Sequence, residues 1–94
     1  MDTAERILDD NRRWAPTGYP GPVPTPPSRH LVVLTCMDAR IDPVSAFGLG
    51  HGQAHVVRNA GGVVTEDVLR SLAVSQRALG TTDVVGVQHT DCGL

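Results

Sequence analysis

The sequence predicts an α/β fold, a parallel βαβαβ sheet core preceded by an N-terminal helical arm. Three observations carry this. Leu31-Val32-Val33-Leu34, His55-Val56-Val57-Arg58 and Asp83-Val84-Val85-Gly86-Val87 are short apolar-rich runs of strand length. Segments with helix signals separate them, and strand-helix-strand order implies parallel pairing through right-handed crossovers. All but one of the seven prolines fall within residues 15–28, which divides an arm from a compact unit.

In chain order, residues 3–13 read as a helix capped by Thr3, with Ile7, Leu8, Asn11 and Trp14 on one narrow stripe. So short a helix needs a surface to dock on. Residues 15–28 then form an extended strap, because proline lacks an N–H and fixes φ. Leu31–Leu34 is a strand buried on both faces, ending at Thr35-Cys36. Asp42-Pro43 starts a short helix through Phe47. His55–Arg58 is the second strand, closed by Asn59-Ala60-Gly61-Gly62. Thr65 caps the next helix, with Glu66 and Asp67 in the first turn, where the helix dipole favours acids. Its apolar face is expected to run through Val68, Leu69, Leu72, Ala73, Gln76 and Leu79, and Gly80 ends it. Asp83–Val87 is expected to be a third buried strand, leading into Gln88-His89. The domain reading is one unit over 1–94: arm helix 1–14, strap 15–28 and core 29–94.

Composition narrows the function. The chain has 94 residues, eight basic side chains (all Arg) against ten acids, and a formal charge of −2. There is no basic block to neutralise phosphates, and three aromatics cannot build a stacking platform, so nucleic acid is not an expected partner. No apolar run approaches bilayer length and the N-terminus is acidic, so no membrane role and a cytoplasmic location are expected. Two cysteines are too few for a disulfide scaffold, which fits a reducing compartment.

In open parallel sheets, ligands collect beyond the carboxyl ends of the strands. Three polar segments stand there: Cys36-Met37-Asp38-Ala39-Arg40, Arg58-Asn59-Ala60-Gly61-Gly62 and His89-Thr90-Asp91-Cys92-Gly93. Cys36, His89 and Cys92 supply two thiolates and an imidazole, a donor set that suits zinc better than magnesium or calcium. Three ligands leave a fourth position open, as catalytic zinc sites do. Asp38, two residues after Cys36, is within reach of the same ion or of water on it. The Arg40 fork can grip Asp38 through two parallel hydrogen bonds, and so decide whether the carboxylate stays off the metal or joins it. A Cys36–Cys92 disulfide is the competing reading, and it leaves His89, Asp38 and Arg40 without a role. His51 and His55 lie near the second strand, as surface residues or proton carriers.

These three segments resemble the Cys-x-Asp-x-Arg, Arg-Asn-Ala-Gly and His-x-x-Cys-Gly motifs of the β-class carbonic anhydrases, in the same order. The resemblance runs from about Ser28 to Leu94 and implies that family's fold. It implies that zinc is held by Cys36, His89 and Cys92, with Asp38 as dyad partner of Arg40 or as the ligand that closes the site. It implies reversible hydration of CO₂ to bicarbonate and a proton by zinc-bound hydroxide. Gly61 and Gly62 would let the backbone approach the substrate pocket. Arg58 would either hold a regulatory bicarbonate or pair with an acid. The arm would lie across a partner subunit, giving a homodimer or larger homo-oligomer. Family members continue past the second zinc cysteine, so the core is expected to be incomplete at its C-terminus. Two alternatives stand beside this reading. One is a zinc hydrolase of a CO₂-like molecule such as carbonyl sulfide or carbon disulfide, and the other is an inactive zinc-binding or assembly remnant.

Overall fold

A computed structural model describes residues 1–93. Three parallel strands form one sheet in the order β2-β1-β3: β1 (Leu31–Cys36), β2 (Ala54–Asn59) and β3 (Asp83–Gly86). Three helices accompany them: α1 (Thr3–Gly18), α2 (Pro43–Ala46) and α3 (Glu66–Arg77). This is the expected α/β core with an N-terminal helix.

β1 occupies the centre because it pairs on both sides, with Leu31 opposite Ala54 and Asp83. Its sequence suits that place. Val32, Val33, Leu34, Thr35 and Cys36 are all buried, as a strand covered on both faces requires. The one polar side chain among them, Thr35, donates to the Val87 carbonyl at 3.1 Å, which offsets the cost of burying its hydroxyl. Leu49 and Val68 complete the small apolar core.

Several expectations are corrected. The arm helix runs to Gly18, with Pro16 inside it, so the strap begins later than residue 15. A proline ring fits helical φ, and the carbonyl deprived of its N–H partner is on an exposed helix, where water can replace that partner. Asp2, rather than Thr3, caps α1, accepting from the Glu5 amide at 2.8 Å. β3 is exposed throughout instead of buried, because it lies at a sheet edge paired to β1 alone. On α3, Val68 and Ser75 are the fully buried positions, with Ser71 and Leu72 half-buried, as is Leu79 just beyond the helix, while Leu69, Ala73 and Gln76 are exposed. The inward stripe therefore follows 68, 72, 75 and 79, and a serine rather than an alanine faces the sheet. Thr65 does cap α3, accepting from the Val68 amide at 3.3 Å.

Strand order reverses about β1, since the chain crosses from β1 to β2 on one side and returns to β3 on the other. A crevice at the carboxyl ends of the strands follows from that reversal, and the three polar segments open into it.

Candidate metal centre

Cys36 is the last residue of β1, fully buried and opposite Asn59 of β2. His89 and Cys92 follow β3. The Sγ atoms of Cys36 and Cys92 and a ring nitrogen of His89 all lie within 4.8 Å of one another. Both cysteines are free thiols, with their sulfurs 3.8 Å apart, far beyond the roughly 2.05 Å of a disulfide bond.

The His89 ring is oriented by its own loop. Its Nδ1 lies 2.9 Å from the Thr90 carbonyl. A carbonyl only accepts, so Nδ1 carries a proton, and in the neutral ring Nε2 presents its lone pair. Nε2 is buried and has no hydrogen-bond partner. An orphaned buried acceptor is costly, and here it stands beside two thiols. Asp38 Oδ2 lies 3.9 Å from it. Two sulfurs and a lone-pair nitrogen fit a soft divalent ion, and a ligating histidine that donates its other N–H to a carbonyl is the usual arrangement around zinc. Zinc therefore fits the residues present.

The charges in the cluster agree. The Cys36 thiol is drawn down to about 7, chiefly by the imidazole beside it and against the opposing effect of burial. The same proximity to Cys36 raises the affinity of His89 for a proton. Thiol and imidazole thus each favour the other's charged form.

Asp38 is only 10% exposed and is held firmly by Arg40. The Arg40 amide and Nε donate to Oδ1 at 2.8 and 3.0 Å, and Nη2 donates to Oδ2 at 2.6 Å. These bonds keep the Asp38 carboxyl well below the usual carboxylate range. Arg40 also reaches the third segment, with Nη2 2.9 Å from the Asp91 carbonyl and Nη1 3.4 Å from its carboxylate.

Gly61 and Gly62 have φ of 84° and 62°. A Cβ on Gly62 would lie 2.8 Å from the Thr35 carbonyl carbon and 2.9 Å from the Cys36 nitrogen. The turn therefore packs directly on the backbone that carries the Cys36 sulfur, and only glycine permits the approach. Two residues that sequence reasoning passed over secure this turn. The Asn59 side chain exchanges two hydrogen bonds with Val63, and the Gln88 side chain donates to the Gly62 carbonyl at 2.9 Å. Their signal was position alone: Asn59 lies inside the Arg-Asn-Ala-Gly segment and Gln88 directly precedes His89.

Arg58 spends Nε and Nη2 on main-chain carbonyls of Cys36, Asp38 and Ile41, which leaves Nη1 as its nitrogen for an anion. Among the described residues no carboxylate is within ion-pair distance of it, contrary to the expectation of an acid partner. His55 turns away from the strand ends: its Nδ1 bonds the buried Ser75 hydroxyl at 2.7 Å. A groove of about 350 Å³ between β2 and α3 includes His55, Arg70 and Val74, and shares no residue with the Cys36, His89 and Cys92 cluster.

Fold and site together define an α/β protein with a Cys-His-Cys centre at the switch point of a parallel sheet. The family model described as carbonic anhydrase matches residues 31–94, and the chain belongs to the β-carbonic anhydrase family. It is 50% identical over 94 residues to beta-carbonic anhydrase 1 of Mycobacterium tuberculosis, covering all of this chain and 57% of that protein. It is 45% identical over 69 residues to a carbon disulfide hydrolase of Acidianus sp., covering 73% of this chain and 34% of the relative. The crystal structure of carbonic anhydrase from Streptococcus mutans superposes with a TM-score of 0.93 at 40% identity, covering 99% of this chain and 56% of that one. The chain thus spans about half the length of the carbonic anhydrases it matches. Among the described residues no helix is long and apolar enough to cross a membrane.

Proposed function

We propose that this chain holds zinc through Cys36, His89 and Cys92 and serves the reversible hydration of CO₂ to bicarbonate and a proton. The observation that carries the reading is the buried, partnerless Nε2 of His89 beside two free thiols. Bound zinc would supply a Lewis-acid charge that makes water a nucleophile near neutral pH.

The chain's own residues do the rest. The Asp38 carboxylate, kept ionised by Arg40, accepts a hydrogen bond from the reacting water and orients it toward CO₂. With both oxygens gripped by Arg40, Asp38 is restrained from closing onto the metal as a fourth ligand. The Gly61-Gly62 turn, packed on the Thr35–Cys36 backbone, braces the strand end that carries the Cys36 sulfur. The released proton passes to solvent or buffer. A reducing compartment, the cytoplasm, suits two free thiols.

A homo-oligomer is part of the proposal. α1 buries none of its residues, and Ile7, Leu8 and Trp14 are more than half exposed. A second copy of the chain is the partner we assign to that stripe.

Metal analysis with stopped-flow CO₂ hydration tests the reading. One zinc per chain is expected, falling to near zero in Cys36→Ser and His89→Ala, with hydration above the buffer rate. Because carbon disulfide hydrolases are relatives at 45% identity, carbon disulfide and carbonyl sulfide belong in the same assay. Faster turnover of either would move the proposal to that second reading. A folded, zinc-loaded chain inert to all three would leave a zinc-binding remnant.

A further inference from the structure

Arg58 lies on β2 opposite Thr35, one residue short of the Cys36 register. Its guanidinium donates from Nε to the Cys36 carbonyl at 2.8 Å. From Nη2 it donates to the carbonyls of Asp38 at 2.9 Å and Ile41 at 3.2 Å. All three acceptors belong to the stretch from Cys36 to Ile41. That stretch begins at a proposed metal ligand and carries the Asp38–Arg40 pair.

Apart from the two Arg40 bonds to Asp91, the other bonds of the stretch are local or singular. The Met37 amide donates to the Asn59 carbonyl at 2.8 Å, and the Ile41 amide donates to the Asp38 carbonyl at 3.1 Å. The Asp38 carbonyl thus receives both Ile41 and Arg58, using both lone pairs. The planar fork reaches these carbonyls from two nitrogens held at a fixed separation, whereas a lysine ammonium is a point donor on a flexible stem.

We infer that Arg58 is a positioning residue, which clamps the Cys36 sulfur and the Asp38 carboxylate into one rigid unit facing His89 and Cys92. The inference rests on the zinc reading above and concerns how tightly and in what geometry the ion is held. Arg58 touches neither the ion nor CO₂ in this role; it acts through the backbone of the loop. Groups that orient metal ligands change affinity by about 10- to 100-fold when removed.

The test uses the full chain loaded with zinc, and separately with cobalt(II). In Arg58→Ala, zinc transfer to a chromophoric chelator is expected to quicken about tenfold or more, and the visible spectrum of the cobalt form to shift. Added guanidinium ion should slow the transfer again in Arg58→Ala and leave the parent chain unchanged. Arg58→Lys should release zinc faster than the parent, because one ammonium cannot replace the fork. Arg70→Ala, an exposed residue at the groove between β2 and α3, which shares no residue with the metal cluster, should behave as the parent. A folded Arg58→Ala with parental release rate and cobalt spectrum would overturn the inference. If Arg58→Ala does not fold, parental release from Arg58→Lys would overturn it. A parent chain that takes up no zinc would sink the zinc reading instead. The clamp is then read from amide hydrogen exchange at residues 37–41, expected to be faster in Arg58→Lys, and unchanged exchange would refute it.

Discussion

The guanidinium of Arg40 bridges Asp38 and Asp91: one nitrogen, Nη2, lies 2.6 Å from the Asp38 carboxylate and 2.9 Å from the Asp91 carbonyl. One side chain thereby couples the loop after β1, which starts from the Cys36 donor, to the loop after β3, which carries His89 and Cys92. Asp91 sits at a φ of 57°, a conformation that aspartate tolerates better than most residues. The bridge holds that strained turn in place.

Replacing Arg40 by methionine should therefore do two things. The Asp38 carboxyl should titrate closer to its ordinary range, because its largest stabilising partner is gone. Under the proposed function, CO₂ hydration should fall about 10- to 100-fold, the range for loss of a group that orients a metal site. Carboxyl NMR titration and stopped-flow assays check the two effects separately. Unchanged Asp38 titration would show that the pair does not persist in solution.

Gly62→Ala should destabilise the fold by at least about 2 kcal/mol, measured by urea denaturation. The new methyl would meet backbone, which cannot swing aside as a side chain can. Gly80→Ala provides the comparison. Its φ is 75°, yet nothing stands within 4 Å of a Cβ there, so it should cost only about 1 kcal/mol for the conformation alone. Equal losses at the two sites would mean that the turn does not press on β1.

Ser75→Ala should cost about 1–2 kcal/mol. The Ser75 hydroxyl is buried between His55 Nδ1 at 2.7 Å and the Thr81 hydroxyl at 2.8 Å. Thr81 is itself buried and would lose its recorded partner. Thermal or urea unfolding reads the change, and Ser75→Ala combined with Thr81→Val should recover part of it, since removing both partners avoids the orphan.

Acid should weaken the metal-free protein partly through Asp42. Its side chain caps α2, bonding the Ser45 hydroxyl and amide, and these bonds lower its proton affinity in the folded state. A carboxyl depressed on folding contributes fully above its unfolded value of about 3.8, and that contribution disappears as pH falls through the folded value. Stability should thus decline with falling pH below about 4, and Asp42→Asn, which still caps, should flatten this limb. An identical acid limb in the variant would exclude the group.

Much of this was legible in the residues alone. Leu31–Leu34 announced a central strand because an unbroken apolar run has no solvent side. The placing of Cys36, Arg58 and His89 near the ends of successive strands pointed to one crevice. Faces and partners were harder to read. Leu69 and Ala73 look as apolar as Val68, yet the helix turns Ser75 inward, because a hydroxyl paired with His55 and Thr81 satisfies burial as well as a methyl does. Val84 and Val85 resemble a buried strand, but burial depends on what packs beside them. The carbonyls gripped by Arg58 carry no side-chain signature, so neither that clamp nor the Gln88 bond to Gly62 is visible before the loops are folded.

The donors of the candidate centre stand at positions 36, 89 and 92, and β1 lies between its two neighbours. An open chain would have to close a loop of more than fifty residues before an ion could feel all three, a large entropic toll. Under the proposed function, zinc would bind the closed sheet in preference to the open chain, and free zinc above its dissociation constant should raise the melting temperature of the metal-free fold. A bound ion would then report that the loops after β1 and β3 have come together, because it meets all three donors only in that arrangement.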